Sequence, residues 1–223
     1  MIDSDTLATR GFVVAPGLLG PGECRALAAL WPEKPRFRSH VVMQRHGYGQ
    51  GEYQYFAYPL PERIEALRQA LYPELAAVAN RWNAELGVAK RFPPTLQGWL
   101  RQCHAGGQKR PTPLLLRYGP GDYNCLHRDL YGELVFPLQA TVLLNDPGKD
   151  FSGGEFMLVE QRPRMQSRGE VVPLSQGDAV IFAVNERPAK GSRGFHRTAM
   201  RHGVSSLRSG ERFTLGIIFH DAA

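Results

Sequence analysis

The chain reads as an α+β protein, with helices ahead of a β-sandwich or jelly roll. Three observations predict this. One long apolar stripe at helical spacing occupies the first half. After Pro113 the texture changes to short apolar runs punctuated by Gly, Pro, Asn and Asp, as expected of many short strands. No linker, repeat or low-complexity tract divides the 223 residues, and 43% hydrophobic content is enough for one core. The reading is a single domain over residues 1–223. Residues 1–112 are expected to be mainly helical support and substrate-side elements, and 113–223 the β core.

Taken in order, Gly11-Phe12-Val13-Val14 reads as a strand, and Pro21-Gly22-Glu23 opens a helix with Cys24, Leu27 and Leu30 on one face. The stripe Ile64, Leu67, Leu71, Leu75, Val78, Trp82, Leu86 steps by three and four residues. Pro61 suits its first turn and Gly87 its end, while Pro73 predicts a kink or two helices end to end. Trp82 belongs to this stripe and is read as core. Leu96, Trp99, Leu100 and Cys103 give a further short helix ending near Gly106-Gly107. Strands are expected at Leu114–Tyr118, Leu138–Leu144, Glu155–Val159, Ala179–Val184 and Arg212–Phe219.

Composition excludes some functions. No run is long or apolar enough to span a membrane, and the acidic start MIDSDTLATRGFVV lacks the apolar region of a secretory signal. Three widely spaced cysteines (Cys24, Cys103, Cys125) argue against a disulfide scaffold and for a cytoplasmic setting. The net charge of +6 favours acidic or polyanionic partners, including nucleic acid, without requiring them.

The chemistry gathers around CLHRDL at 125–130. His-Arg-Asp-Leu begins a protein-kinase catalytic loop, but the metal-binding Asn that loop requires is Leu134 here, and no Gly-rich phosphate loop precedes it. A Cys/His zinc site built from Cys103-His104 and Cys125-x-His127 lacks the paired C-x-x-C form. As a strand, His127 and Asp129 would share one face and Arg128 the other. A second His would complete a two-His, one-carboxylate facial triad with open positions. His202 stands ten residues before Arg212, whereas His196 has Ser206 at that offset and His220 has no following strand. A planar guanidinium at Arg212, with the Thr214 hydroxyl on the same strand face, can grip the far carboxylate of a chelating 2-oxo acid.

Four ordered blocks carry a resemblance to the Fe(II)/2-oxoglutarate dioxygenases, especially their prolyl-4-hydroxylase-like branch. They are Tyr118-x-x-Gly121 followed by His127-x-Asp129; Thr141-Val142-Leu143-Leu144; Gly153-Gly154-Glu155-Phe156; and His202-x-Val204-x-x-Leu207-x-x-Gly210-x-Arg212. The usual Val of the fourth block is Leu207. The resemblance implies a double-stranded β-helix (jelly-roll) core with the N-terminal helices outside it. It implies Fe(II) on His127, Asp129 and His202, 2-oxoglutarate on Arg212, Tyr118 and Thr214, and O2 as oxidant. Hydroxylation of a C–H bond would release succinate and CO2, with no catalytic residue beyond the metal ligands.

For the prime substrate, the core blocks lean towards a protein residue or small molecule. AlkB-like dealkylation of nucleic-acid bases comes next, and a non-catalytic metal-binding jelly roll is a third class. Two features favour nucleic acid. The stretch RHGYGQGEYQYF at 45–56 loosely resembles the base-covering lid of AlkB-like enzymes, with Tyr53 and Tyr55 as candidates, though it reads equally as a hairpin with rings on the core. Arg162, Arg164, Arg168, Arg187, Lys190, Arg193 and Arg197 crowd two connections, where they could track phosphates or form ion pairs. Arg128, Arg193 and Arg197 are the basic substrate-side candidates.

Overall fold

The computed structural model describes residues 2–192 and 194–223. Its helices are α1 (Ser4–Arg10), α2 (Pro21–Ala28), α3 (Glu62–Glu85) and α4 (Leu96–Ala105). The first strands are β1 (Phe12–Ala15), β2 (Phe37–Val42), β3 (Gly49–Gln50), β4 (Glu52–Phe56), β5 (Leu114–Tyr118), β6 (Tyr123–His127), β7 (Leu138–Leu143) and β8 (Phe151–Gly153). They are followed by β9 (Phe156–Gln161), β10 (Arg168–Val172), β11 (Ala179–Ala183), β12 (Glu186–Gly191), β13 (Gly194–Val204), β14 (Leu207–Gly210) and β15 (Arg212–Ile218).

Seven strands form the major sheet in the order β1-β11-β7-β15-β5-β4-β2. A second sheet runs β10-β9-β13-β6-β3 with β12 paired to β13, and β14 pairs β8. The strand pairs are antiparallel, and the sheets do not close. Period-two alternation then decides what each face does. Along β15, Phe213, Leu215 and Ile217 turn to the helices and join the largest core with Leu115, Ala140 and Val142. Their alternates Arg212, Thr214 and Gly216 turn inward and line a cavity with Leu114, Leu116, Tyr118, Gln139 and Thr141.

The helical stripe behaves as its spacing predicts, since Ile64, Leu67, Leu71, Leu75, Val78 and Trp82 are all buried on α3. Trp82 is core, its indole N–H donating to the Ala8 carbonyl at 3.0 Å. The split expected at Pro73 does not occur, because α3 continues through it as one helix. Packing of the flanking Leu71, Tyr72, Leu75 and Ala76 against the sheet holds the helix together there.

Residues 1–112 are less helical than expected. They add β1 to one end of the major sheet and the β2–β4 hairpin to the other. The aromatic stretch at 45–56 is therefore largely sheet, with Tyr55 and Phe56 buried in it. Its alternating rings read as a hairpin because they pack one face of β4 against β5.

Candidate metal centre and cosubstrate cavity

Strand pairing builds the metal site. β13 runs antiparallel to β6 with His202 directly opposite His127, and the two imidazole centroids lie 4.2 Å apart. Asp129 sits two residues past the end of β6, so strand alternation does not aim it, contrary to the sequence expectation. Side chains from elsewhere hold it instead. The Tyr131 hydroxyl donates to one carboxylate oxygen and the Gln139 amide to the other, each at 2.8 Å. The Nε2 atoms of His127 and His202 each lie 3.3 Å from one Asp129 oxygen, and the three ligand atoms fall within 4.8 Å of one another. Among the described residues no other group of three metal-ligating side chains converges like this.

The donor chemistry fits a divalent cation. His127 Nδ1 lies 2.7 Å from the Cys125 carbonyl, which can only accept, so Nδ1 carries the proton and Nε2 presents its lone pair. Burial alone would raise the pKa of Asp129, but hydrogen bonds and charge from both histidines hold it well below the carboxylate range. For His127, burial pulls the pKa down, yet Asp129 and the Cys125 carbonyl leave it raised. His202 is lowered, with burial as the main cause.

Beyond the ligands, a cavity of about 370 Å³ holds the other inward-facing residues. Arg212 lies at its floor opposite Tyr118 in the β15–β5 register and is only 1% exposed. Among the described residues its Nε and one Nη have no hydrogen-bond partner, so a buried guanidinium is left with unused donors. That is the condition a carboxylate ligand would relieve. Burial pulls Arg212 down to about 10, which leaves it cationic at neutral pH. Burial pushes Tyr118 up to about 12, which keeps it a neutral hydroxyl. Thr214 lines the same wall, two residues along β15. A larger groove, about 580 Å³ between Trp31 and Lys149, carries no metal-ligating cluster among the described residues.

The substrate-side candidates divide. Tyr53 is in the cavity wall, while Tyr55 lies behind it, buried, with ring centroids 5.4 Å apart. Arg128 lines the mouth and donates to the Asn185 side-chain oxygen at 2.8 Å. Arg197 is on β13 away from the cavity, paired with Glu186 at 2.8 Å. Arg193 lies outside the described residues. The crowded arginines are mostly spent on ion pairs, because Arg162 and Arg187 hold Glu160 and Arg168 holds Glu170. The sequence reading missed Gln139, Tyr131 and Asn124, whose amide in the cavity wall donates to the Tyr118 hydroxyl at 3.5 Å. Gln139 could have been flagged as the lone amide on a mainly apolar strand, two residues before Thr141 on the same face.

A jelly roll presenting two histidines and a carboxylate, with a buried arginine facing a tyrosine beneath them, defines the class of Fe(II)/2-oxoglutarate-dependent oxygenases. These oxidoreductases work with Fe(II), 2-oxoglutarate and O2. Within that class the chain belongs to the Oxygenase-NA family, whose model matches residues 51–222 and is described as "Oxygenase, catalysing oxidative methylation of damaged DNA". An uncharacterized protein of Mycobacterium tuberculosis, Rv2227, is 54% identical over 168 residues, 75% of this chain and 72% of that protein.

Solved structures share the fold. A Pseudomonas putida prolyl-4-hydroxylase has a TM-score of 0.52 at 17% identity, covering 96% of this chain and 94% of that one. A 2OG-Fe(II) oxygenase-family oxidoreductase from Burkholderia pseudomallei has a TM-score of 0.55 at 16% identity, covering 99% and 91%. The α-ketoglutarate-dependent epimerase SnoN of nogalamycin biosynthesis reaches 0.58 at 17% identity, covering 96% and 78%. Among the described residues no helix is long and apolar enough to cross a membrane.

Proposed function

We propose that the protein is an Fe(II)- and 2-oxoglutarate-dependent oxygenase that removes alkyl groups from damaged nucleic-acid bases by oxidising them. The core blocks of the sequence lean towards a protein or small-molecule substrate. The family description and the cavity mouth together reverse that preference. The observation that carries the reading is an aromatic and apolar rim around the metal-centre cavity, with Tyr48 50% exposed and Leu130 49% exposed. Large apolar groups left in water at a cavity mouth are suited to the flat face of an unstacked base.

His127, Asp129 and His202 would hold the metal, with Gln139 and Tyr131 orienting the carboxylate through its two oxygens. Arg212 would take the distal carboxylate of 2-oxoglutarate with its unused donors, and the hydroxyls of Tyr118 and Thr214 would support it. When bound, the metal activates O2 at the expense of 2-oxoglutarate, which leaves as succinate and CO2. The chain's own residues supply position and a shielded pocket. Tyr53 and Leu116 close the wall beside the ligands, and no protein nucleophile is needed.

An oxygenase can act on an N-methyl group only by oxidising it. One oxygen atom of O2 enters the C–H bond, the other ends in succinate, and the hydroxymethyl adduct leaves the nitrogen as formaldehyde. The test is aerobic incubation with Fe(II), 2-oxoglutarate and oligonucleotides carrying N-methylated bases. Formaldehyde and succinate should form one to one, with loss of one CH2 from the oligonucleotide. Succinate release driven by a peptide or small-molecule pool, with methylated oligonucleotides inert, would overturn the assignment.

A further inference from the structure

The β2–β4 hairpin continues the major sheet beyond β5, and the face of this shelf that carries Tyr53 lines the cavity. Tyr53 on this shelf is cavity wall, and Tyr55 next to it packs against Tyr53 and Tyr131. Arg38, at the bulged end of β2, lays its guanidinium over the Tyr55 ring at 4.4 Å. Only its Nε is used, donating to the Pro111 carbonyl at 2.7 Å. Among the described residues its two Nη groups have no partner and it makes no salt bridge. Arg110 directly precedes Pro111, whose carbonyl Arg38 grips, and is itself exposed and without a salt bridge among the described residues. Asp221, whose charge acts on Arg38, is already committed to Arg68, His104 and Tyr58. Two like charges are thus placed together, one ring beyond the catalytic cavity, and among the described residues neither forms an ion pair.

We propose that this shelf is the track of a single-stranded nucleic acid, with Arg38 and Arg110 binding backbone phosphates next to the nucleotide whose base enters the cavity. The inference rests on the nucleic-acid reading above and assigns the cations that reading needs. Charge complementarity selects a polyanion. The rim selects a single strand, because Tyr48 stacks on His46 with centroids 5.4 Å apart and stays half exposed, and Leu130 of the same cavity is equally bare. An unpaired base can cover such groups with its face, whereas a duplex offers only phosphates and groove edges. Arg38 also arrives pre-ordered by its stacking on Tyr55, so less side-chain entropy is lost when a phosphate binds.

The test is anisotropy titration of the full-length protein with a labelled single-stranded oligonucleotide and with its duplex, across a salt series. Wild type is compared with Arg38→Gln, Arg110→Gln and the double variant. Arg162→Gln, an ion-paired surface arginine, is the control. Succinate yield and 2-oxoglutarate binding are followed in parallel. Wild type should prefer the single strand. Each single substitution should lower the salt slope by about 0.7, the value for one phosphate contact on a single strand, and the double variant should lose roughly tenfold or more in affinity at low salt. The 2-oxoglutarate affinity of all variants should match wild type. Arg110 is exposed, so its variant keeps the test valid should Arg38→Gln disturb the hairpin.

If wild type binds and demethylates oligonucleotides while the double variant keeps the wild-type slope and affinity, this placement is wrong and the proposed function stands. Tighter binding to duplex also rejects the single-strand track. If wild type binds neither nucleic acid at low salt, the proposed function fails with it.

Discussion

Arg212→Met separates cosubstrate binding from folding with effects of opposite sign. In the unliganded protein the guanidinium is 1% exposed with two donor groups unpaired. Burial lowers its pKa from 12.5 to about 10, which at about 1.4 kcal/mol per unit is a penalty of roughly 3 kcal/mol on the charge. The Tyr118 ring at 5.5 Å and the Phe151 ring at 5.9 Å return roughly 1 kcal/mol through cation–π attraction. Methionine fills most of the same volume with no charge to desolvate. The variant should therefore be more stable than wild type without 2-oxoglutarate by about 2 kcal/mol, or roughly 4–8 °C in Tm for a chain of this size. With Mn(II) and 2-oxoglutarate the order should reverse. Losing a buried carboxylate–guanidinium pair costs about 2–5 kcal/mol, so affinity should fall roughly thirtyfold to a few thousandfold and the ligand-induced Tm shift should vanish. The assay is thermal denaturation of both proteins with and without ligand, with calorimetric titration of 2-oxoglutarate. A variant that melts lower than wild type when unliganded, yet gains the same shift from 2-oxoglutarate, would refute the reasoning on both counts.

Three further outcomes follow from other parts of the fold. Arg68 and Asp221 form a fully buried pair at 2.8 Å, so Arg68→Met should cost about 3–5 kcal/mol in denaturant unfolding, because Asp221 is left buried with its main partner gone. Gly154 has φ +64, and a Cβ there would lie 2.8 Å from Leu207 Cδ1 and 3.0 Å from Arg212 Cδ. Gly154→Ala should therefore raise the KM for 2-oxoglutarate more than that for the prime substrate, with about 1–3 kcal/mol lost in stability. His220 is buried, with the Phe136 N–H donating to its Nδ1 at 3.2 Å, and burial lowers its pKa from 6.5 to about 4. The unfolded chain then binds more protons between those values, so stability is full above about 6.5 and falls as the pH drops towards 4, by roughly 3 kcal/mol. His220→Gln, which keeps an acceptor for Phe136, should flatten that part of a urea-derived stability–pH curve.

What the sequence made legible follows from where each strand lies. β7, β11 and β15 are buried on every residue and β5 on three of five, so apolar runs marked them. β10, β12 and much of β13 carry arginine, lysine and glutamate on a solvent face, and their composition is that of loops. His202 was found on the unseen strand β13 because its spacing to Arg212 does not depend on knowing the element. The basic segments misled for a related reason. Arg187 is buried against Glu160, 27 residues away in sequence, and the exposed Arg10 pairs with Glu170, 160 away, pairings no local count can anticipate. The free arginines of the shelf are isolated in sequence and stand out only when the fold shows which carboxylates are already taken.

The metal centre depends on register more than on any one element. His127 ends a strand with exposed Leu126 and Cys125, so alternation alone fixes β6 weakly. Backbone contact fixes it instead. A Cβ on Gly203 would meet the Asn124 carbonyl at 2.7 Å, and one on Gly49 would meet the Tyr123 carbonyl at 2.3 Å, so glycines let both neighbours close on β6. The register shifts between His202 and Val204, a bulge that keeps His202 opposite His127 while Val204 falls opposite Asn124. A slip of one residue would turn the His202 imidazole to the other face of the sheet and leave Asp129 with one histidine beside it. The two glycines on either side of β6 are thus as much a condition of the triad as the ligands, and for a physical reason: only a strand gripped by backbone on both edges can hold two imidazoles 4.2 Å apart without an apolar face of its own.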